Sequence, residues 1–140
     1  MAIFNYLPTF NYIEPNNLKG LQPGFVVAQE ERVAAGLKHE ATGMFENGKI
    51  CALTAEGIVA ATGEERALFI HYTEPLNTMF NSDKFFAVNV AEECPRLVQL
   101  IAGDEWTSTD ANCAIADRII KTGETTMANG DKAYRYVFLG

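Results

Sequence analysis

Thiol and imidazole chemistry in this chain must come from three cysteines and two histidines: Cys51, Cys94, Cys113, His39 and His71. His39-Glu40 has no second histidine at helical spacing, so the H-E-x-x-H arrangement that holds zinc is absent. His71 with Glu74 supplies at most two metal ligands, short of a zinc site. A histidine on a strand, bonded locally, is the expected role. Cys94 and His71 would form a thiol–imidazole pair only if the fold joined them, and free cysteines ordinarily fill cores as small apolar residues. Ser82 and Ser108 are the serines, and neither lies in G-x-S-x-G. Asp104-Glu105, Asp110 and Asp117 lack the sixth-position glycine and twelfth-position glutamate of an EF-hand loop, so a solvated acidic face is expected. The 11 glycines are dispersed, and none forms the phosphate-cradling G-x-x-x-x-G-K. The residues therefore predict no catalytic constellation, no metal site and no cofactor.

The elements that would position any site read as strands. Gln22-Pro23-Gly24 turns the chain into Phe25-Val26-Val27-Ala28, a β-favoured run. Phe45 leads through Asn47-Gly48 to Lys49-Ile50-Cys51-Ala52-Leu53. Asn-Gly is the type I′ hairpin signal, with positive φ at both positions. Ile58 to Ala61, Ala67 to Tyr72, Lys84 to Val90, Arg96 to Ile101 and Lys132 to Leu139 follow as strands. Within the last, Tyr134, Tyr136 and Phe138 share a face. Asn129-Gly130 marks a second hairpin turn. Residues 109–121 predict one short helix, with Asp110 as N-cap and Gly123 as stop. The expected fold is mainly β: a small sandwich or barrel of about 7–9 short strands with one short helix and an extended N-terminal arm.

That arm carries the clearest pattern. Phe4-Asn5-Tyr6-Leu7-Pro8 is nearly repeated as Phe10-Asn11-Tyr12-Ile13-Glu14-Pro15. The prolines interrupt any helix, and so many large apolar side chains are unlike a solvated tail. Such a segment wants a surface. It is either an edge strand on its own domain or an arm that docks on a neighbour. Residues 1–22 are read as the arm and 23–140 as a single β-rich domain. Phe4, Tyr6, Leu7, Phe10, Tyr12 and Ile13 are the expected partner-binding residues.

At 140 residues one domain is expected, long enough to bury a real core. With 18 acidic against 11 scattered basic residues, the formal net charge of −7 disfavours nucleic acid as a partner. No apolar run approaches transmembrane length. The odd cysteine count and the lack of a signal-peptide pattern point to synthesis in a reducing cytoplasm.

Two stretches resemble known families. Phe86-Ala87-Val88-Asn89-Val90 is similar to a strand of the flavin-reductase-like split barrels that bind FMN. That similarity implies the alternative reading, a small flavin-binding enzyme. A broader resemblance covers Phe45-Glu46-Asn47-Gly48-Lys49-Ile50, Leu68-Phe69-Ile70-His71-Tyr72-Thr73-Glu74-Pro75, and the run from Pro95-Arg96-Leu97 to Asp104-Glu105-Trp106. These look like the capsid decoration, or cement, proteins of tailed bacteriophages. The resemblance implies a non-enzymatic β-rich body on the capsid exterior, made in the host cytoplasm. Its partner would be the major capsid protein, its state a homo-oligomer, often a trimer, and its arm would add to a capsid strand.

Overall fold

The computed structural model describes residues 11, 13–19, 26–28, 33, 37, 44–73, 87–88, 95–127 and 130–140. Eleven strands run through them: β1 (Ile13–Asn17), β2 (Val26–Ala28), β3 (Phe45–Glu46), β4 (Ile50–Thr54), β5 (Gly57–Ala60), β6 (Phe69–His71), β7 (Ala87–Val88), β8 (Arg96–Gln99), β9 (Glu105–Ser108), β10 (Ile119–Thr126) and β11 (Lys132–Phe138). Nine of them form two antiparallel sheets, ordered β1-β9-β11-β10 and β2-β8-β6-β4-β5, and β3 pairs with β7 apart from these. The mainly β sandwich expected from the sequence is what the chain forms.

The period-2 side-chain alternation of strands explains the layering. On β11, Tyr136 and Phe138 point inward, joined by Trp106 of β9 and Ile119 of β10. The facing sheet contributes Ile70 of β6 and Val98 of β8, which stand opposite one another in register. Their neighbours Phe69 and Leu97 point the other way. With Cys51, Ile58 and Phe45 they form a second apolar layer, covered by Val33 and Leu37. At β6 and β8 the sheet is thus buried on both faces, which accounts for the near-continuous apolar runs Leu68-Phe69-Ile70 and Leu97-Val98.

Three expectations are corrected. Residues 109–121 form no helix. Ile115 and Ile119 exchange backbone hydrogen bonds at 3.0 and 3.1 Å around a tight loop, in which Ala116 has φ 44°. A left-handed residue there stops a right-handed helix. Asp110 caps no helix; its Oδ1 instead accepts from Asn112 N at 2.9 Å. Second, Asn47-Gly48 is a turn but not a type I′ hairpin. Gly48 has φ +96° while Asn47 is not left-handed, and β3 pairs with β7, whereas β4 pairs with β5 and β6. The central hairpin is β4–β5, turned at Ala55-Glu56. Third, Asp104 is no solvated acid. It is fully buried, its Oδ2 accepting from Ile101 N at 2.8 Å and its Oδ1 from Lys19 N at 3.1 Å.

Candidate functional site

Of the second aromatic repeat, the structure describes Asn11, Ile13, Glu14 and Pro15, and Asn11 and Ile13 are anchored in the body. Ile13 is fully buried in the main core and opens β1, opposite Ser108 of β9. It was expected to face a partner. Instead its side chain packs against Gly48, where an added Cβ would lie 3.4 Å from Ile13 Cδ1. Ile13 is therefore a core residue, and the stretch Ile13–Asn17, taken for arm, is an edge strand. Pro15 is tolerated there because the register shifts between Glu14 and Asn17, and a proline on an irregular edge breaks no interior ladder. Phe4, Tyr6, Leu7, Phe10 and Tyr12 lie outside the described residues.

Asn11 is held by a clamp. Its main-chain N donates to Glu46 Oε2 at 2.9 Å and its Nδ2 donates to Glu46 Oε1 at 3.0 Å. Its Oδ1 accepts from Thr109 Oγ1 at 3.0 Å. The Glu46 side chain is only 4% exposed; Lys49 Nζ, 3.5 Å from its carboxylate, balances its charge. A buried carboxylate needs such partners, since an unpaired one is costly to desolvate. Backbone N–H, side-chain amide and side-chain carbonyl are all read at once, a set that asparagine satisfies and an aliphatic residue does not.

Behind the clamp lies a buried polar network centred on His71. Its ring stacks on Phe45, centroids 3.9 Å apart and planes 9° from parallel. Nδ1 lies 2.9 Å from the Glu46 carbonyl and Nε2 lies 2.9 Å from Thr73 Oγ1. A carbonyl can only accept, so Nδ1 carries the proton and Nε2 accepts from the Thr73 hydroxyl. Thr73 Oγ1 in turn accepts from Arg96 N at 2.8 Å. Asn47 and Thr73 exchange two further bonds, at 3.0 and 2.9 Å. Burial lowers the His71 pKa to about 4, against a small opposing pull from the Glu46 carbonyl. The imidazole is neutral at pH 7, and both nitrogens are engaged in joining β3, β6 and β8. This is the locally bonded strand histidine anticipated from the sequence.

The other reactive side chains sit elsewhere. Cys51 and Cys113 are buried free thiols. Burial pushes Cys51 up to about 12. Burial raises Cys113 further, with the Asp110 charge adding to it. Neither forms a thiolate near neutral pH. His39, Glu74 and Cys94 lie outside the described residues, so the His71–Glu74 and His71–Cys94 pairings do too. Among the described residues, no three His, Cys, Asp or Glu side chains gather as metal ligands. No described helix is long and apolar enough to cross a membrane. Of the flavin-like stretch, Ala87 and Val88 form β7 on Glu46 and Phe45, the strand that carries the clamp. A cleft of ≈380 Å³ opens beside the clamp, lined by Lys49, Ile50, Asp110, Cys113 and Ile115 among others.

Sequence reasoning gave Glu46 and Thr109 no role and placed the weight of the arm on its aromatic rings. The available signal was the asparagine, repeated at the same place in both copies. No protein-family model matches the chain, and neither does any curated protein or solved structure.

Proposed function

We propose that this chain is a non-enzymatic structural protein. It binds the outer surface of a bacteriophage capsid, through the major capsid protein, and stabilises it. Its aromatic segment Phe4, Tyr6, Leu7, Phe10 and Tyr12 makes the contact. The observation that carries this reading is the clamp on Asn11. A short extended segment binds well only if its ordering cost is reduced beforehand. Holding Asn11 by three hydrogen bonds to Glu46 and Thr109 fixes the root of that segment to a rigid sandwich. The resemblance of Phe45 to Trp106 to decoration proteins supports the same reading. So does the use of His71, Asp104 and Glu46, three buried titratable groups, to join segments of the scaffold.

The test is co-sedimentation of the purified protein with empty capsids of the phage that encodes it. The protein should pellet with capsids and stay in the supernatant without them. An absorbance band near ~450 nm in the purified protein would instead favour the flavin-binding reading.

A further inference from the structure

We infer that the Glu46–Thr109 clamp is a recognition site for an asparagine-centred segment, and that its second occupant is the first repeat, Phe4-Asn5-Tyr6-Leu7, of another copy of this chain. The clamp shows what is recognised. It reads a main-chain N–H, an amide Nδ2 and an amide Oδ1 of one residue. Two residues further on, an aliphatic side chain enters the core beside Gly48, as Ile13 does. The chain carries this combination twice, as Asn5 with Leu7 and as Asn11 with Ile13. One body offers one clamp, so two similar ligands compete for it.

Exchange replaces like with like. Asn5 brings the same donors and acceptor to Glu46 and Thr109, and Leu7 matches Ile13 in volume and polarity, a swap that cores tolerate. Low-cost exchange of equivalent segments is a general route to oligomers. The copies diverge at the next residue, where Pro8 stands in place of Glu14. Glu14 is paired with Thr107 in the ladder, and proline cannot donate there, so the exchange ends at Leu7. Asn5 and Asn11 are six residues apart, a reach of about 20 Å when extended. That is enough for one molecule, its Asn11 still in its own clamp, to reach a neighbour's clamp and displace the Asn11 there.

The experiment is sedimentation velocity on the full chain over a concentration series, for wild type, Asn5→Ala, Asn5→Asp and Glu46→Ala. Circular dichroism checks each fold. Wild type should associate reversibly. Asn5→Ala should weaken association at least about tenfold, or 1.4 kcal/mol, and Asn5→Asp should weaken it more, because its carboxylate meets Glu46. A photo-crosslinking residue in place of Phe4 should join one molecule to the segment around Glu46 or Thr109 of another, and this adduct needs no Glu46 variant to fold. A wild type that stays monomeric to about 1 mM, association indifferent to Asn5, or crosslinks elsewhere would overturn the inference. Both readings use Phe4 to Leu7, so one segment serves one partner at a time; these measurements need no capsid, and failure to bind capsids would leave them unchanged.

Discussion

Asn11 and Glu46, 35 positions apart in sequence, meet through two hydrogen bonds on one buried carboxylate, at 2.9 and 3.0 Å. This contact ties the aromatic N-terminal repeat to β3, and β3 is tied in turn to His71. The link therefore joins the segment proposed to bind a partner to the buried network of the sandwich.

Removing the carboxylate leaves Asn11 N–H and Lys49 without their partner. Glu46→Ala should destabilise the protein by about 1–3 kcal/mol, the usual cost of orphaning buried polar groups. Glu124→Ala is the control, since Glu124 sits on the exposed β10–β11 hairpin with Lys121 and Lys132 and should leave the urea midpoint unchanged. Equal midpoints for the two variants would contradict the clamp.

The pH dependence follows from His71. Its folded pKa, about 4, lies below the ordinary value of 6.5, so the unfolded chain binds the proton more readily. The resulting stability is complete above pH 6.5 and is lost as pH falls through 4, amounting to on the order of 3 kcal/mol. Glu65 adds to this at lower pH. Partial desolvation works against its charge, but hydrogen bonds from Thr62 and Gly63 outweigh that and lower its pKa to about 2. Its contribution is present above 4.5 and falls away as pH drops through 2. Urea midpoints from pH 7.5 to 4 should decline in wild type and be markedly flatter in His71→Asn.

Gly48 combines a φ of +96° with Ile13 Cδ1 at 3.4 Å from where a Cβ would stand. Gly48→Ala should cost about 1–2 kcal/mol, and Gly48→Val more. Gly123 has nothing within 4 Å of its Cβ position and no left-handed φ, so Gly123→Ala should melt close to wild type. Similar melting temperatures for both alanine variants would refute the assigned role of Gly48.

Arg118 ties its own loop to two separate pieces of chain, the 63–66 loop and Gly140. Its guanidinium donates to the carbonyls of Gly63 at 3.2 Å, Arg66 at 3.3 Å, Gly140 at 3.4 Å, and also Glu65. A lysine cannot reproduce that fork. Arg118→Lys should lower the melting temperature by about 3–5 °C for each kcal/mol lost, the scale for a domain of this size, and a melting curve superimposable on wild type would remove Arg118 from the account.

The strands legible in the sequence were those whose apolar residues recur on a buried face, such as Arg96–Gln99 and Lys132–Phe138. Those that escaped are β1 and β10 at the sheet edges and the interior β9, whose four residues Glu105–Ser108 are too few to show an alternation. β10 carries Lys121, Thr122 and Glu124 in solvent, so no alternation marks it, and its first residues imitate a helix. β1 reads Ile-Glu-Pro-Asn-Asn, a poor strand by composition, and is held by the buried Ile13 and by pairing with β9. The Asn47-Gly48 signal named a turn correctly but not its partners, because the strand before it pairs across to β7. The clamp was illegible for a related reason. Glu46 and Thr109 acquire their meaning only where the fold brings them to Asn11.

The central claim is that the aromatic N-terminal segment attaches this protein to a capsid. The most direct measurement is co-sedimentation of wild type and the Phe4→Ala, Phe10→Ala double variant with empty capsids, at ~50 and ~200 mM salt. Wild type should pellet at both salt concentrations, because apolar contact and strand addition are little screened. The double variant, with its fold intact, should bind at least about tenfold more weakly, as loss of aromatic anchors does. Wild type remaining in the supernatant, or a double variant that pellets equally well, would contradict the account.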